Sequence, residues 1–252
     1  MTQHVADTLV IHGMNSPNVI KVVIALEELG LDYRLNHVAV FRGDQFADEF
    51  GRLNPLGKVP VLEDPRLGVP LAESGAILLW LAEREGKSGE RFLPTGQPAR
   101  AKVMQWLMIQ MANVGPMLGQ YTHFNLVPAG SQPYAHGRYG AVAARLYRLL
   151  DDRLHRRDYL AGDYSIADMA TQPWAYYLER HGFDPAAYPD LVRWRETIAV
   201  RPAVQRALAR ADEAFARDAE QTRKAASDAD LDRFFGRTEA VPQTDYSIVR
   251  DM

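Results

Sequence analysis

The spacing of apolar residues changes once along the chain, and this change most limits the folds open to it. Over residues 1–86, short β-branched apolar runs alternate with runs of helical spacing. From Ala99 to about Glu213 only helical spacing is found, and the polar segment 87–98, rich in Gly and Pro, separates the two patterns. The sequence therefore predicts an α/β domain over 1–86, a linker over 87–98, an all-α helical bundle over 99–217 and a tail over 218–252.

The first domain shows the order strand, helix, strand, then strand, strand, helix. Strands are predicted at residues 8–12, 33–40, 59–62 and 70–72. A helix begins at Ser16-Pro17, because serine is a good N-cap and proline suits the first helical position, and it ends at Gly30. Another helix follows Glu73. This order predicts a mixed four-stranded sheet with helices on both faces, the thioredoxin-like arrangement.

The second domain is predicted to contain long helices over residues 101–124 and 134–155 and a third that starts at Ser165. Ser165 and Asp168 have the spacing of a capping box ahead of an apolar run, so we assign them to folding rather than to chemistry. The methionines of the first long helix are predicted to serve packing.

Composition excludes several kinds of chemistry. None of the 252 residues is cysteine, so disulfides, thiolate metal sites and a protein-borne thiol nucleophile are excluded, and any reacting thiol must come from a ligand. The formal net charge of −3 gives no electrostatic case for nucleic acid or an anionic membrane. We find no signal-peptide pattern and no apolar run of membrane-spanning length, which predicts a cytoplasmic protein.

Three motifs in this order resemble the cytosolic glutathione transferases over residues 8–213. They are the segments Asn54-Pro55-Leu56-Gly57-Lys58-Val59-Pro60, Glu73-Ser74-Gly75-Ala76-Ile77 and Ser165-Ile166-Ala167-Asp168. Further segments resemble the bacterial Nu class, which includes disulfide-bond oxidoreductases; they are Ser16-Pro17-Asn18, Gln105-Trp106, residues 115–120, His123-Phe124-Asn125 and residues 134–139. The resemblance implies a glutathione transferase fold, glutathione as co-substrate and no metal.

The resemblance places the glutathione sulfur near Ser16 and Asn18, at the start of the first helix. Donors and a helix N-terminus that face a sulfur lower its pKa, so these two residues are predicted to be catalytic. The alternative is that Ser16 is only an N-cap. Val19 stands where the Nu-class pattern has glycine, which predicts a bulkier contact with the ligand.

The resemblance also assigns binding roles to the rest of the tripeptide. Pro60 is expected to be cis, exposing the Val59 backbone to the cysteinyl part of the ligand like an added strand; an ordinary edge-strand proline is the alternative. Ser74 and Glu73, at a helix N-terminus, are predicted to bind the γ-glutamyl carboxylate and ammonium groups, or only to cap the helix.

Other candidates are assigned more loosely. Gln45 and Lys58 are predicted at the glycyl end, although Lys58 fits a plain surface lysine equally. Arg138, by its match to the Nu class, is predicted to reach the ligand from the helical domain, with a solvated helix face as the alternative. A second pocket is assigned to His123, Phe124 and Trp174, for which core packing is the alternative.

The leading hypothesis is a glutathione-dependent thiol–disulfide oxidoreductase or transferase, whose glutathione thiolate attacks a disulfide, peroxide or electrophile. The alternatives are conjugation or thiolytic ether cleavage of an aromatic substrate, and a non-catalytic interaction module. The family architecture predicts a homodimer. Two apolar clusters in the tail, formed by Phe234, Phe235, Tyr246 and Ile248, predict that it packs on the body near the pocket; a disordered end is the alternative.

Overall fold

The computed structural model describes residues 8–237 and 246–250, except for the side chains of residues 216–220 and 248. Its four strands form one mixed sheet in the order β2-β1-β3-β4. The strands are β1 (Leu9–Gly13), β2 (Tyr33–His37), β3 (Val61–Glu63) and β4 (Leu71–Ala72). β1 pairs with β2 in parallel and with β3 antiparallel, and β4 is antiparallel to β3. The predicted thioredoxin-like sheet is confirmed.

The second strand is shorter than predicted. Pairing between β1 and β2 ends at the pair Gly13 and His37, because β1 itself ends there. Beyond that pair the chain turns into a 3₁₀ helix (Val40–Arg42), which Gly43 ends with a φ of 88°. The expectation of a strand up to residue 40 is therefore wrong over its last three residues.

The helices of the first 98 residues are α1 (Pro17–Leu29), α2 (Asp48–Leu53), α3 (Ser74–Arg84) and α4 (Lys87–Glu90). α1 begins and ends where the sequence predicts, with Ser16 at the N-cap position and Gly30 in the left-handed region at a φ of 69°. A second 3₁₀ helix (Asp44–Phe46) precedes α2. The segment predicted as a plain linker contains α4.

All further described elements are helical. They are α5 (Ala99–Ile109), a π-helix (Gln110–Val114), α6 (Gly115–Asn125), α7 (Pro133–Leu154), α8 (Ile166–Ala175), α9 (Tyr177–Arg180), a 3₁₀ helix (Pro185–Ala187), α10 (Pro189–Ala199), α11 (Pro202–Lys224), α12 (Asp228–Phe235) and α13 (Ser247–Arg250). α5, the π-helix and α6 are continuous and coincide closely with the predicted first long helix. Within the described ranges, no helix is both long and apolar enough to span a membrane.

The start of α8 confirms the structural role of the capping box. Ser165 Oγ accepts from the backbone of Ala167, and the fully buried Asp168 accepts from the Ser165 backbone. Asp168 also accepts from Leu160 N at 2.9 Å and from Trp194 Nε1 at 3.0 Å. Burial raises the pKa of Asp168 to about 6, and these donors oppose that rise.

The two halves of the chain pack through α1, which contacts α8 and α11. Three ion pairs tie its end to α11 and to the residue before it. Glu28 pairs with Arg201 at 2.6 Å, and Glu27 pairs with Arg206 at 2.8 Å and with Arg210 at 3.1 Å. On the other side Gly75, at the start of α3, faces the π-helix so closely that a Cβ there would lie 2.9 Å from Met111 Cγ. A larger residue at position 75 would therefore require the Met111 side chain to move.

The end of the chain packs on the body, as the sequence predicts for three of its four apolar residues. The Phe234 ring lies 4.8 Å from the ring of Phe41, and Phe235 stacks on Tyr246 at 5.7 Å between centroids. These residues belong to a second buried cluster that includes the fully buried Leu231. The side chain of Ile248 is outside the described residues.

Candidate active site

A cleft of about 400 Å³ opens between the sheet and the long α5–α6 helix, and we call it the first cleft. Seven of the predicted site residues line it; they are Asn18, Lys58, Val59, Pro60, Glu73, Ser74 and Trp174. The motifs that lie 55 residues apart in sequence, around Asn18 and Glu73, therefore meet at one site.

A second cavity, of about 610 Å³, adjoins the first cleft. Gly119 of α6 lines both spaces, and at the start of α1 Ser16 lines the second cavity whereas Asn18 lines the first cleft. A group bound at the boundary thus lies at the N-terminus of α1, where free N–H groups and the helix dipole favour negative charge.

Asn18 is oriented by a residue of the helical half. Trp174 Nε1 donates to Asn18 Oδ1 at 3.3 Å, so the Asn18 Nδ2 group is left to donate elsewhere. Trp174 thereby lines the first cleft and is not among the described walls of the second cavity, to which the sequence assigned it. The reason is that α8 packs on α1 and brings the indole to the Asn18 side.

Ser16 occupies the N-cap position of α1 with an extended backbone, but its hydroxyl makes no capping hydrogen bond. The backbone carbonyl of Ser16, rather than its side chain, accepts from Val19 and Ile20 at 3.0 and 2.9 Å. The hydroxyl is therefore not consumed by capping, which weakens the purely structural interpretation of this residue.

Val19 does not enter the first cleft. It is fully buried, and its Cγ atoms lie 2.8 Å from the position that a Cβ on Gly13 would occupy. The bulk of Val19 therefore fills the core beneath the end of β1, and the predicted bulky ligand contact is wrong.

The Val59–Pro60 peptide bond is cis, as expected from the resemblance. Val59 lies two residues before β3, whose pairing with β4 covers only Val61 and Leu62. The Val59 backbone thus lies at the edge of the first cleft, beyond the paired part of the strand.

Glu73 and Ser74 lie at the N-terminus of α3. Glu73 has a φ of 69°, a left-handed conformation that non-glycine residues adopt at a cost and that recurs at functional sites. Ser74 is buried and its hydroxyl contacts Met111 Sδ at 3.9 Å. Glu73 makes no side-chain capping bond to α3, so its carboxylate is not used as a cap.

Lys21 is a site residue that the sequence reasoning missed. Its side chain is fully buried at the first cleft, where Nζ donates to Gln110 Oε1 at 2.9 Å and lies 3.7 Å from Met111 Sδ. Burial lowers the pKa of Lys21 to about 7, while the charge of Glu73 raises it. The available signal was a single lysine within the apolar run of α1 from Val19 to Ile24.

Gln110 completes this buried pair from the π-helix. Its Oε1 atom accepts from Lys21, whereas its Nε2 atom is buried without a partner among the described residues. The π-helix therefore places a spare amide donor at the wall of the first cleft, in keeping with the frequent occurrence of such turns at functional sites.

Gln45 lies beside this site rather than in its described wall. It is buried, its Oε1 atom has no partner among the described residues, and its backbone carbonyl approaches Gly57, next to Lys58. The Lys58 carbonyl accepts from Asn54 Nδ2 at 2.8 Å, which holds this loop, and Lys58 itself lines the cleft.

Two predicted site residues are placed elsewhere. Arg138 is exposed on α7 and lines neither the first cleft nor the second cavity. Phe124 stacks on Tyr139 at 5.4 Å and faces a separate depression near the start of α7. His123, by contrast, lines the second cavity as predicted, and burial lowers its pKa. Among the described residues, no group of three or more His, Asp or Glu side chains is placed to hold a metal ion.

The walls of the second cavity come from five parts of the chain. Met14 and Phe41 belong to the sheet half, and Thr122 and Leu126 to the end of α6 and the residue after it. The remaining described walls are Asn15, Tyr177 and Arg180, with Arg223, Phe234, Phe235 and Val249 from the end of the chain. The Phe235 ring lies 5.0 Å from that of His123, so the tail closes one side of this cavity.

The sequence matches two family models. The N-terminal domain of glutathione S-transferase matches residues 15–84, and the C-terminal domain of glutathione S-transferase matches residues 116–202.

Individual relatives support the same family. The chain is 44% identical over 202 residues to the disulfide-bond oxidoreductase YfcG of Escherichia coli, which covers 78% of this chain and 92% of that protein. A glutathione transferase family member from Pseudomonas fluorescens, solved with two glutathione molecules bound, is 36% identical with a TM-score of 0.73, covering 82% of this chain and 95% of that one. A glutathione transferase from Pseudomonas putida, with one glutathione disulfide per subunit, is 34% identical with a TM-score of 0.75, covering 82% and 93%.

Proposed function

The chain belongs to the glutathione S-transferase family, and we propose that it is a glutathione-dependent thiol–disulfide oxidoreductase that binds glutathione in the first cleft. The observation that carries this proposal is the boundary between the two cavities at the start of α1, between Asn18 and Ser16. A thiolate at that boundary faces both residues and reaches a second molecule in the second cavity.

The charges of the first cleft match those of glutathione, which has two carboxylates and one ammonium group. The free N–H groups at the start of α3, with the Ser74 hydroxyl, bind the γ-glutamyl carboxylate, and Glu73 pairs with the ammonium group. The Val59 backbone pairs with the cysteinyl part as an added strand would.

The glycyl end of the tripeptide lies toward Lys58 and Gln45 in this proposal. The Lys58 ammonium group suits the glycyl carboxylate. The buried Oε1 atom of Gln45, which has no partner among the described residues, suits a ligand N–H. Arg138 has no part in it, because it is exposed away from both cavities.

The thiolate is stabilised by two donors and a helix end. Trp174 holds the Asn18 carbonyl, so the Asn18 amide group donates to the sulfur, and the free Ser16 hydroxyl donates from the other side. The 13-residue helix α1 adds its positive end at the same place. Together these effects lower the pKa of the bound thiol, as donors and helix termini do for cysteines.

The reaction balances with two glutathione molecules, since the protein has no cysteine. The first thiolate attacks one sulfur of the substrate disulfide, forming a mixed disulfide and releasing a substrate thiolate that takes up a proton. A second glutathione thiolate attacks the glutathionyl sulfur, forming glutathione disulfide and the second substrate thiol. The two glutathiones lose two electrons, and the substrate gains them. The Pseudomonas putida relative was solved with glutathione disulfide bound, which is the oxidised product of this reaction.

Conjugation or thiolytic ether cleavage of an aromatic substrate is a second candidate, which the apolar walls of the second cavity favour. A turnover panel with glutathione and a mixed disulfide, an organic hydroperoxide or a chlorinated aromatic separates the two. The charged and polar groups gathered in the first cleft argue against the third candidate, a non-catalytic module, and retention on immobilised glutathione tests that directly.

The pH dependence of disulfide reduction tests the role of Asn18. Loss of a donor to a charged sulfur costs about 1.5–3 kcal/mol, or about one to two pKa units. Asn18→Ala is therefore expected to lower turnover at neutral pH and to move the pH–rate profile to higher pH, and Ser16→Ala to do so to an equal or smaller extent. Affinity for glutathione should change little in either variant.

The matched control is Asn125→Ala, which removes an amide at the end of α6 away from both cavities. It should keep the wild-type pH–rate profile. Unchanged profiles in both Asn18→Ala and Ser16→Ala would mean that the thiolate is stabilised elsewhere.

We also propose that the protein is a homodimer, in which the sheet half of one subunit faces the helical half of the other. The support for this arrangement is the glutathione S-transferase family, to which the chain belongs, and the prevalence of two-fold dimers among oligomeric proteins. Light scattering at micromolar concentration should give twice the chain mass, and a monomer mass would remove this proposal.

A further inference from the structure

The second cavity combines apolar walls with positive charge. Aromatic rings line it from two directions, and two arginines, Arg180 and Arg223, face it. None of its described wall residues is Asp or Glu. We propose that this cavity selects an acceptor substrate that carries a carboxylate on an aromatic or similarly flat apolar group, with Arg223 receiving the carboxylate.

Arg223 is the strongest evidence for this selectivity. It lies near the end of α11, and its Nε atom is buried without a hydrogen-bond partner among the described residues. Arg223 also lines the cavity, so a carboxylate bound there can pair with its guanidinium group through a charge-assisted bond.

Arg180 adds a second positive charge from the end of α9. Its guanidinium carbon lies 5.3 Å from the centroid of the Tyr177 ring, which also lines the cavity. This contact restricts the guanidinium group next to the ligand space.

The apolar walls favour an acceptor that carries a flat apolar group. Phe41, Phe234 and Phe235 contribute three rings, and Met14, Leu126 and Val249 are also apolar. A flat apolar group gains from burial against these walls. An amphipathic acid satisfies both the rings and the arginines.

Four residues of the cavity wall come from the end of the chain, beyond the residues matched to the family. The two matches end at residues 84 and 202, and Arg223, Phe234, Phe235 and Val249 all follow. The end of this chain, folded back over Phe41 and His123, therefore supplies much of the wall that chooses the acceptor. The selectivity is predicted to be a property of this chain's own tail.

The inference rests on the proposed function, since glutathione in the first cleft positions its S-substituent in the second cavity. The test compares S-(4-carboxybenzyl)glutathione with S-(4-methylbenzyl)glutathione, which differ only in the carboxylate, by titration calorimetry. Wild type is expected to bind the carboxybenzyl compound about 10–100-fold more tightly. Free glutathione and glutathione disulfide are titrated alongside.

Three variants locate the preference. Arg223→Gln should reduce the ratio of the two affinities at least about tenfold, and Arg223→Lys should retain part of it. The control is Arg233→Gln, which removes an exposed arginine of the same tail that does not line the cavity, and it should keep the wild-type ratio.

The outcomes separate the two proposals. Equal binding of the two benzyl compounds, or an unchanged ratio in Arg223→Gln, overturns this inference and leaves the glutathione site intact. Tighter binding of glutathione disulfide than of the carboxybenzyl compound overturns the aromatic part, because the carboxylate would then come from a peptide. Failure of free glutathione and every derivative to bind overturns the proposed function together with this inference.

Discussion

The first cleft and the second cavity are built in different ways, although they share a boundary. The cleft takes its polar groups from places where an element begins or ends, such as Asn18 at the start of α1 and Ser74 at the start of α3. The cavity is formed by side chains from five separate parts of the chain, among them Phe41, His123 and Phe235. The cleft therefore has a local sequence signature and the cavity has none.

This difference indicates where substrate specificity can change without loss of glutathione binding in the first cleft. Backbone N–H groups at a helix end bind a constant ligand part and depend little on distant residues. Side chains gathered from far apart can be exchanged one by one, and the tail contributes several of them. The following changes test whether the two sites are energetically separate.

The largest effect is expected from Leu231→Ala in the middle of α12. Leu231 is fully buried in the second cluster, and removing such a side chain costs about 2–5 kcal/mol. We expect α12 to detach, so that residues 226–237 exchange amide hydrogens faster and the preference for the carboxybenzyl compound falls. Free glutathione should bind as before.

Leu149→Ala is the control for that change, because Leu149 is 42% exposed on α7 and touches neither site. It should alter neither hydrogen exchange in the tail nor the ligand preference. A parallel loss of free-glutathione affinity in Leu231→Ala would show that the two sites are not separate.

A smaller effect is expected from Glu73→Gln, in the first cleft. Loss of the charged partner of the γ-glutamyl ammonium group costs about 1.5–3 kcal/mol, so glutathione affinity should fall about 10–100-fold. Calorimetry with free glutathione measures the loss, and the ratio between the two benzyl compounds should stay at its wild-type value. Glu49→Gln, an exposed acid in the first turn of α2, should leave the affinity unchanged.

The smallest effect, counted per pH unit, concerns Lys21 and the pH dependence of stability. Burial lowers the pKa of Lys21 from 10.5 to about 7, so between these values the unfolded chain binds a proton that the folded one does not. Stability is therefore lowest below pH 7 and rises with pH from about 7 toward 10.5, by at most about 1.4 kcal/mol per pH unit. Glu73 at the start of α3 is the charged group that opposes this shift.

Urea unfolding of the ligand-free protein at pH 7, 8 and 9 measures this slope. Lys21→Met keeps the length of the side chain without its charge and should flatten the slope of stability against pH. Lys58→Met, at the exposed edge of the cleft, should leave that slope unchanged. Equal slopes in wild type and Lys21→Met would mean that Lys21 remains charged when the protein folds.

Much of the sheet half could be predicted because its signals are local. Ser16, Pro17 and Gly30 mark the ends of α1, and Ser165 with Asp168 marks the start of α8, each within a few residues. These features depend on capping and backbone preferences that act over one helical turn.

Contacts between distant segments could not be predicted in this way. The bond from Lys21 to Gln110 spans 89 residues, and the bond from Trp174 to Asn18 spans 156. No local pattern specifies which residue of α8 faces α1, so Trp174 was assigned to the neighbouring space. The only local signal for the buried pair of Lys21 and Gln110 was a lysine within an apolar run.

The π-helix at Gln110–Val114 has a consequence for how the two sites can diverge. A π-turn holds one residue more than an α-turn, so its wider turn absorbs the extra residue without rotating the helix that follows. If the same residues were wound as a regular α-helix instead, every position of α6 would rotate by about 100° relative to α5. Gly119 and His123 would then move away from their present walls. This one turn therefore sets the rotational position of residues in both sites, even where the individual side chains of the helix are free to vary.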